Sequence, residues 1–296
     1  MNRLAISLCF SIALGLPLAG IAQAFTEKSY FDLEPATFYV QAIAHHDAGN
    51  LASAADMYER TLSADPLHLS AWYNLSLARY GLGQYPQAEK AMESLLALSP
   101  TDTAAYELYG LILHRVGRHE QAVASFGLVL SSTPSAHLFA NRAMAYLANN
   151  DMNNALPDLD AALRLDPSHF NAVLGKGMAL SELAQYQLAL EWFDHALQLR
   201  PGQPLALSNR AVLFFQNGER ERALNDFRSV LSKHKLPEVF AARARCYLSA
   251  GEPNEAWLDM QEALHLAPDL PELLELMALI EKEWKQGQAA DEDAKF

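Results

Sequence analysis

Prolines recur along this chain at a nearly constant interval. Pro66, Pro100, Pro134, Pro167, Pro201 and Pro268 are separated by 34, 34, 33, 34 and 67 residues. The last gap is two intervals with one proline missing, and Lys235 stands in its place. Ala54, Ala88, Ala122, Ala155, Ala189, Ala223 and Ala256 keep the same interval. Four residues after each comes Tyr58, Met92, Phe126, Leu159, Phe193, Phe227 or Met260. A third set, Ala42, Ser76, Gly110, Ala143, Gly177, Ala211 and Ala244, is uniformly small. A fixed period of this length marks one supersecondary unit stacked many times, because a single unit cannot bury its own apolar face.

Each unit reads as two amphipathic helices. The first carries apolar residues at helical spacing, as in Trp72, Leu75, Leu77 and Ala78. A turn follows at Gly49, Gly83, Gly117, Asn150, Ala184, Gly218 or Gly251. The second helix runs on to the proline, which ends it. The small residues fall where the two helices cross, since only a small side chain permits close backbone approach.

The period and its marks resemble the tetratricopeptide repeat, whose pattern is W-x2-L-G-x2-Y, then A-x3-F, then P. The fifth unit matches with Ala189, Phe193 and Pro201, and the second with Trp72, Leu75, Ala88 and Pro100. The resemblance covers residues 35–270, and the departures are local: Lys235 for proline, a third unit of 33 residues, and Ala42 or Ser76 for glycine. It implies an all-α fold, a right-handed solenoid of seven helix-turn-helix repeats at 35–68, 69–102, 103–135, 136–169, 170–203, 204–236 and 237–270. A capping helix is expected at 271–287, with Leu273, Leu274, Met277 and Ile280 as its apolar stripe and Ala278 at the small-residue place. Glu272, Glu275, Glu281, Lys282 and Glu283 would give it a polar outer face, as the end of a stack requires. The tail 288–296 is expected to be unstructured.

The start of the chain, MNRLAISLCFSIALGLPLAGIAQAFTEK, has the layout of a secretory signal peptide. Arg3 precedes an apolar run that Pro17 breaks, and Ala22-Gln23-Ala24 is a small-x-small cleavage site. Residues 4–22 are long enough for an uncleaved anchor, but Pro17 and the cleavage site favour removal of residues 1–24. The arm 25–34 would then cap the first repeat through Tyr30, Phe31 and Leu33. Losing Arg3 takes the net charge from −13 to −14, which argues against a nucleic-acid partner. No second long apolar run follows, so no membrane span is expected after cleavage. Cys246 alone would remain, so the stack must hold together by its core and not by a disulfide. The short signal, lone cysteine and acidic balance look most like a bacterial periplasmic protein.

Two first helices carry Asn-Arg in the middle of an apolar run, in FANRAMAYL and LSNRAVLFF. Arg142 and Arg210 hold the seventh place of their units, as do Lys176 and Arg243. Sixteen residues later stand Asp158, Asp226 and Asp259 on the partner helix, with Trp192 at the same distance from Lys176. The first three units lack both members, with Gln41 and Met57, Leu75 and Ala91, Tyr109 and Ser125 in those places. Cation and carboxylate thus appear and vanish together. The reading is an ion pair stapling the two helices of one repeat, because a partly buried Arg without a partner is costly. Lys176, with no aspartate ahead of it, is expected to be free for a ligand.

In repeats of this kind the first helices line the concave surface, and an asparagine at the sixth place contacts the main chain of a bound extended peptide. Asn74, Asn141 and Asn209 stand there. An amide donates and accepts, so it grips any peptide backbone, or equally satisfies a group within the stack. Helical spacing places Tyr39, Ile43 and His46, then Tyr73, Leu77 and Tyr80, on the same strip. Leu111, His114 and Arg115 follow, then Met144, Met178, Val212 and Phe215. The strip is sparse in charge and suits a protein or peptide partner, unless its Tyr and Leu side chains pack between repeats instead. The carboxylate clamp of some members of this family is absent, since Tyr73, Leu77, Glu107, Leu111, Ala140 and Met144 hold the corresponding places.

No catalytic chemistry is legible. Gly175-Lys176-Gly177 lacks the earlier glycine and the Ser or Thr of a phosphate loop. No HExxH, GxSxG or paired-Cys spacing occurs. His45, His46 and Asp47 are adjacent, so their side chains diverge on a helix. Cys246 reads as a small core residue, and the Asn74-Leu75-Ser76 sequon lies within a helix. The expected function is a non-catalytic exported scaffold, without cofactor or metal, that binds a polypeptide in its concave groove. The alternative is a structural subunit of an envelope complex joined through its ends or convex face.

Overall fold

The computed structural model describes residues 35–293, with side chains described as far as Lys285. The expected signal peptide, its cleavage site and the arm 25–34 lie outside the described residues, as do 294–296. The chain divides into two compact units, one ending at Thr133 and the other beginning at Pro134. Both are helical throughout, and no strand occurs among the described residues.

The first unit contains α1 (35–47), α2 (Leu51–Ala64), α3 (Leu69–Gly81), α4 (Tyr85–Leu98), α5 (Thr103–Arg115) and α6 (His119–Leu130). Odd-numbered helices here are the first helices of repeats one to three. The second unit holds α7 (Ala136–Ala148), α8 (Met152–Leu165), α9 (Phe170–Glu182), α10 (Tyr186–Leu199), α11 (Pro204–Gln216), α12 (Arg220–Leu231), α13 (Pro237–Ser249), α14 (Pro253–Leu266) and α15 (Pro271–Asp293). Repeats four to seven are its first four pairs. Within each unit the two helices of a repeat pack together, and each second helix packs on the first helix of the repeat that follows.

The periodic residues explain this packing. All seven periodic alanines, from Ala54 to Ala256, are fully buried, and the large residues four places later, from Tyr58 to Met260, are buried with them. The small set lies against those large side chains. A Cβ on Gly110 would come within 2.7 Å of the Phe126 ring, and one on Gly177 within 2.8 Å of the Phe193 ring. The turn between helices needs one residue in the left-handed region. Glycine supplies it in five repeats, but Asn150 (φ 56°) and Ala184 (φ 58°) adopt it with a side chain. Helix starts are capped by Asp102, Ser135 and Asp151, whose oxygens accept from Ala105, Leu138 and Asn154 N–H groups. His68 and His169 cap through Nδ1, accepting from Ala71 and Ala172.

The last helix corrects two expectations. It runs to Asp293, past residue 287, so the stretch 288–293 expected to be unstructured is helical. Its buried residues are Leu273, Leu276 and Ile280, while Leu274 is 51% exposed and Ala278 is also exposed. Leu274 and Ala278 face the side where a second helix would lie, and among the described residues none is there. Trp284 secures the helix instead, stacking on Trp257 at 5.3 Å and donating from Nε1 to Asn254 Oδ1 at 2.7 Å.

Candidate functional site: the first-helix faces

The cations at the seventh place point away from the first-helix face, toward the second helices. Arg142 Nε and Nη2 donate to Asp158 Oδ2 and Oδ1, both at 2.7 Å. Arg243 grips Asp259 in the same two-pronged way, also at 2.7 Å. Arg210 donates to Asp226 from Nε and Nη2 at 2.8 Å, and from Nη1 to Asp194 Oδ1 at 2.6 Å. Asp158, Asp226 and Asp259 are buried, and the hydrogen bonds to them hold each guanidinium pKa above its ordinary value. A planar fork meeting a carboxylate with two parallel bonds is the strongest form such a pair takes.

Lys176 is not free. Its Nζ donates to Asp160 Oδ1 at 2.5 Å and lies 4.6 Å from the centre of the Trp192 ring. The ammonium therefore sits between α8 and α10 and is not available to a ligand on the α9 face. Asp160 and Asp194 both stand sixteen residues before their cation, on the second helix of the preceding repeat. Counted backward, the same spacing of sixteen reaches Asp160 from Lys176 and Asp194 from Arg210.

With the cations withdrawn, the first-helix faces are nearly uncharged. In the first unit Tyr39, Tyr73, Asn74, Leu77, Tyr80 and His114 are all half-buried. Tyr39 OH accepts from Asn74 Nδ2 at 3.1 Å, joining the first repeat to the second. Tyr73, Leu77, Tyr80 and Leu111 pack on the core of α4 and α5. Burial, with Glu107 and Asp102 nearby, raises the Tyr73 pKa and keeps its hydroxyl protonated. Arg115 Nε donates to Tyr80 OH at 3.4 Å. Ile43 is exposed, and the His46 ring lies edge-on to buried Tyr58.

In the second unit Asn141, Met144, Met178, Asn209, Val212 and Phe215 occupy the corresponding face, again half-buried. Asn209 Nδ2 donates to Leu205 O at 3.0 Å, one turn back in its own helix. Asn141 Nδ2 contacts His137 Nε2 at 3.0 Å, also one turn back. Each uses one amide hydrogen locally, and no hydrogen bond to either Oδ1 occurs among the described residues. Met144, Met178, Val212 and Phe215 pack their inner edges into the core and leave their outer edges on the surface. The face offers amide groups, thioethers and an aromatic edge. Groups of these kinds can engage a ligand by hydrogen bonds and apolar contact.

The other candidate groups do not gather into a reactive centre. No set of three or more metal-ligating side chains comes together among the described residues. Burial pushes the Cys246 thiol up to about 11, which leaves it inert at neutral pH.

The family model for the tetratricopeptide repeat matches residues 39–102, 74–137, 141–204 and 209–271. The chain belongs to the tetratricopeptide repeat family. It is 27% identical over 128 residues to tetratricopeptide repeat protein 6 of Homo sapiens, covering 43% of this chain and 25% of that protein. It is 30% identical over 97 residues to Photosystem I assembly protein Ycf3 of Prochlorococcus marinus (strain NATL1A), covering 28% of this chain and 56% of that protein. The chain thus spans about a quarter and about half the length of these two curated relatives. The crystal structure of a tetratricopeptide repeat protein from Parabacteroides merdae ATCC 43184 superposes with a TM-score of 0.74 at 20% identity, over 84% of this chain and 99% of that one. Tetratricopeptide repeats serve in general as scaffolds for protein–protein interaction.

Proposed function

We propose that this protein is a non-catalytic, exported scaffold that binds a partner polypeptide along its first-helix faces. The observation that carries this reading is the placement of charge. Arg142, Lys176, Arg210 and Arg243 all turn to carboxylates on second helices. The α7 and α11 faces are left with amides, apolar side chains and the His137 ring, and without a Lys, Arg, Asp or Glu beside Asn141 and Asn209. An uncharged strip of this kind suits a peptide backbone with apolar side chains and offers little to a polyanion. One curated relative is by name an assembly protein, which fits a role in bringing polypeptides together. The signal-like start of the sequence supports export, with the bacterial periplasm as the compartment.

The test joins the two faces of the claim. A partner retained by the tagged protein from the cell envelope is identified by mass spectrometry, and its binding is measured by calorimetry. Changing Asn141 and Asn209 together to Ala should weaken binding by about 1–3 kcal/mol, through peptide groups left unpaired. The melting temperature should barely move, since each amide bonds only within its own helix. Unchanged affinity on an intact fold defeats the reading and favours a structural subunit joined through other surfaces. The same preparation should begin at Phe25; an intact Met1 would defeat export with cleavage.

A further inference from the structure

Between α2 and α4 of the first unit lies a cleft of about 460 Å³. Leu62, Trp72, Leu75 and Ala91 make its apolar floor, and Glu59, Gln87 and Lys90 stand at its rim. It exists because of what the second repeat lacks. Leu75 holds the place of Arg210, Ala91 that of Asp226, and Glu59 that of Asp194. In the sixth repeat the three side chains fill this space with a guanidinium between two carboxylates. In the second repeat Leu75 and Ala91 belong to one apolar cluster and carry no group that reaches out between the helices, and Glu59 accepts from Arg79 Nη2 at 2.5 Å instead. The next repeat fills its own place differently, with the Tyr109 hydroxyl 3.5 Å from Glu93.

We propose that this cleft is a second docking site, and that it takes an apolar side chain and a neighbouring carboxylate from an acidic helix of a partner protein. Three observations select that occupant. The floor is apolar, and Trp72 is fixed there by its Nε1 donation to Pro66 O at 2.8 Å. The charge at the rim is unbalanced: Glu59 is neutralised by Arg79, while the Lys90 ammonium has no partner among the described residues. The walls are two helices presenting Glu59, Leu62 and Ser63 on one side and Gln87, Lys90, Ala91 and Ser94 on the other. The stretch from Gln87 to Ser94 on α4 makes a trough of roughly 10 Å, two helical turns long, into which the side-chain ridge of another helix fits. A leucine in the trough and a glutamate one turn away would meet the Trp72 floor and Lys90 together.

The full chain can be titrated with an 18-residue alanine-based helical peptide carrying Leu and Glu at i and i+4, while the Trp72 indole N–H is followed by NMR. Trp72→Phe assigns the signal. The signal should shift with this peptide, not with its Leu-to-Ala version, and about fivefold more weakly with its Glu-to-Lys version, as an exposed charge pair allows. Leu75→Arg with Ala91→Asp should rebuild the arrangement of the sixth repeat and abolish the shift. If that variant does not fold, Ala91→Met closes the cleft by volume alone and should do the same. The shift should survive Asn141→Ala with Asn209→Ala, since those residues lie in the other unit. Equal shifts from all three peptides, or a shift that persists in a folded closure variant, would overturn the proposal. So would octanoate competing as well as the peptide, which would assign the cleft to a small amphiphile.

Discussion

Arg210 lies between two carboxylates, each sixteen residues away in sequence: Asp226 ahead of it in its own repeat, and Asp194 behind it in the repeat before. The two are not equivalent. The side chain of Asp226 is 11% exposed and that of Asp194 is 48% exposed. Arg210→Ala should destabilise the protein by about 1–4 kcal/mol, because it strands the buried Asp226 carboxylate, and Asp226→Ala should cost less, because Asp194 still holds the guanidinium. The double change should cost less than the sum of the two. Asp194→Ala should cost no more than about 1 kcal/mol, the range of solvent-exposed pairs. Urea denaturation of the four variants measures all of this, and additive effects would dissolve the staple.

Ala184 sits at φ 58°, where five other repeats place glycine. A Cβ in this region is crowded by the following carbonyl. Ala184→Gly should therefore stabilise the protein by about 0.5–1 kcal/mol, net of the greater freedom glycine gives the unfolded chain. The urea midpoint should rise with an unchanged slope.

Gly177 answers to the opposite constraint. Its backbone lies so close to the Phe193 ring that an added methyl would meet Cε1 at 2.8 Å and Cδ1 at 2.9 Å. Phe193 is fully buried and has nowhere to turn. Gly177→Ala should cost about 1–3 kcal/mol by overpacking, despite the better helix propensity of alanine. Thermal melts of the variant, and of Gly177→Ala with Phe193→Leu as a rescue, distinguish crowding from a general intolerance of change in α9.

Acid should weaken the fold near pH 6. Burial, then His119 and then Arg115, lowers the His114 pKa, and burial is the main cause of a lowered value at His169. Both groups are therefore held neutral in the folded state more strongly than in the unfolded one. Their contribution is complete above the unfolded value of about 6.5 and is lost as the pH falls through it toward the folded values. The urea midpoint should be lower at pH 5.5 than at pH 7.5. His114→Leu with His169→Asn, which keeps a capping acceptor at the start of α9, should make the two midpoints converge.

The architecture was legible because a repeat makes its contacts close by. Ala88, Met92 and Ser76 meet within one repeat, so a single period places all three. The forward pairs from Arg142, Arg210 and Arg243 were legible for the same reason, since each couples two helices of one repeat. The Lys176 pair is not legible in this way, because its partner, Asp160, belongs to the repeat before, where no within-repeat pattern points. The side of α15 that is buried escaped for a related reason: with no second helix on it, Leu276 rather than Leu274 faces the stack. The cleft at Trp72 was written in the sequence as Leu75 and Ala91, but a missing side chain leaves no motif. Only the way α2 and α4 both pack on α3 shows that nothing replaces it.

The inward turn of the four cations also decides how each surface responds to its medium. Mobile ions screen exposed charges and leave amide and apolar contacts nearly untouched. A polypeptide held on the α7 and α11 faces should be held as firmly in concentrated sodium chloride as in dilute buffer. One anchored through Lys90 should loosen as the ionic strength rises. Two partners on one molecule would then part from it under different conditions, the one held at Lys90 first.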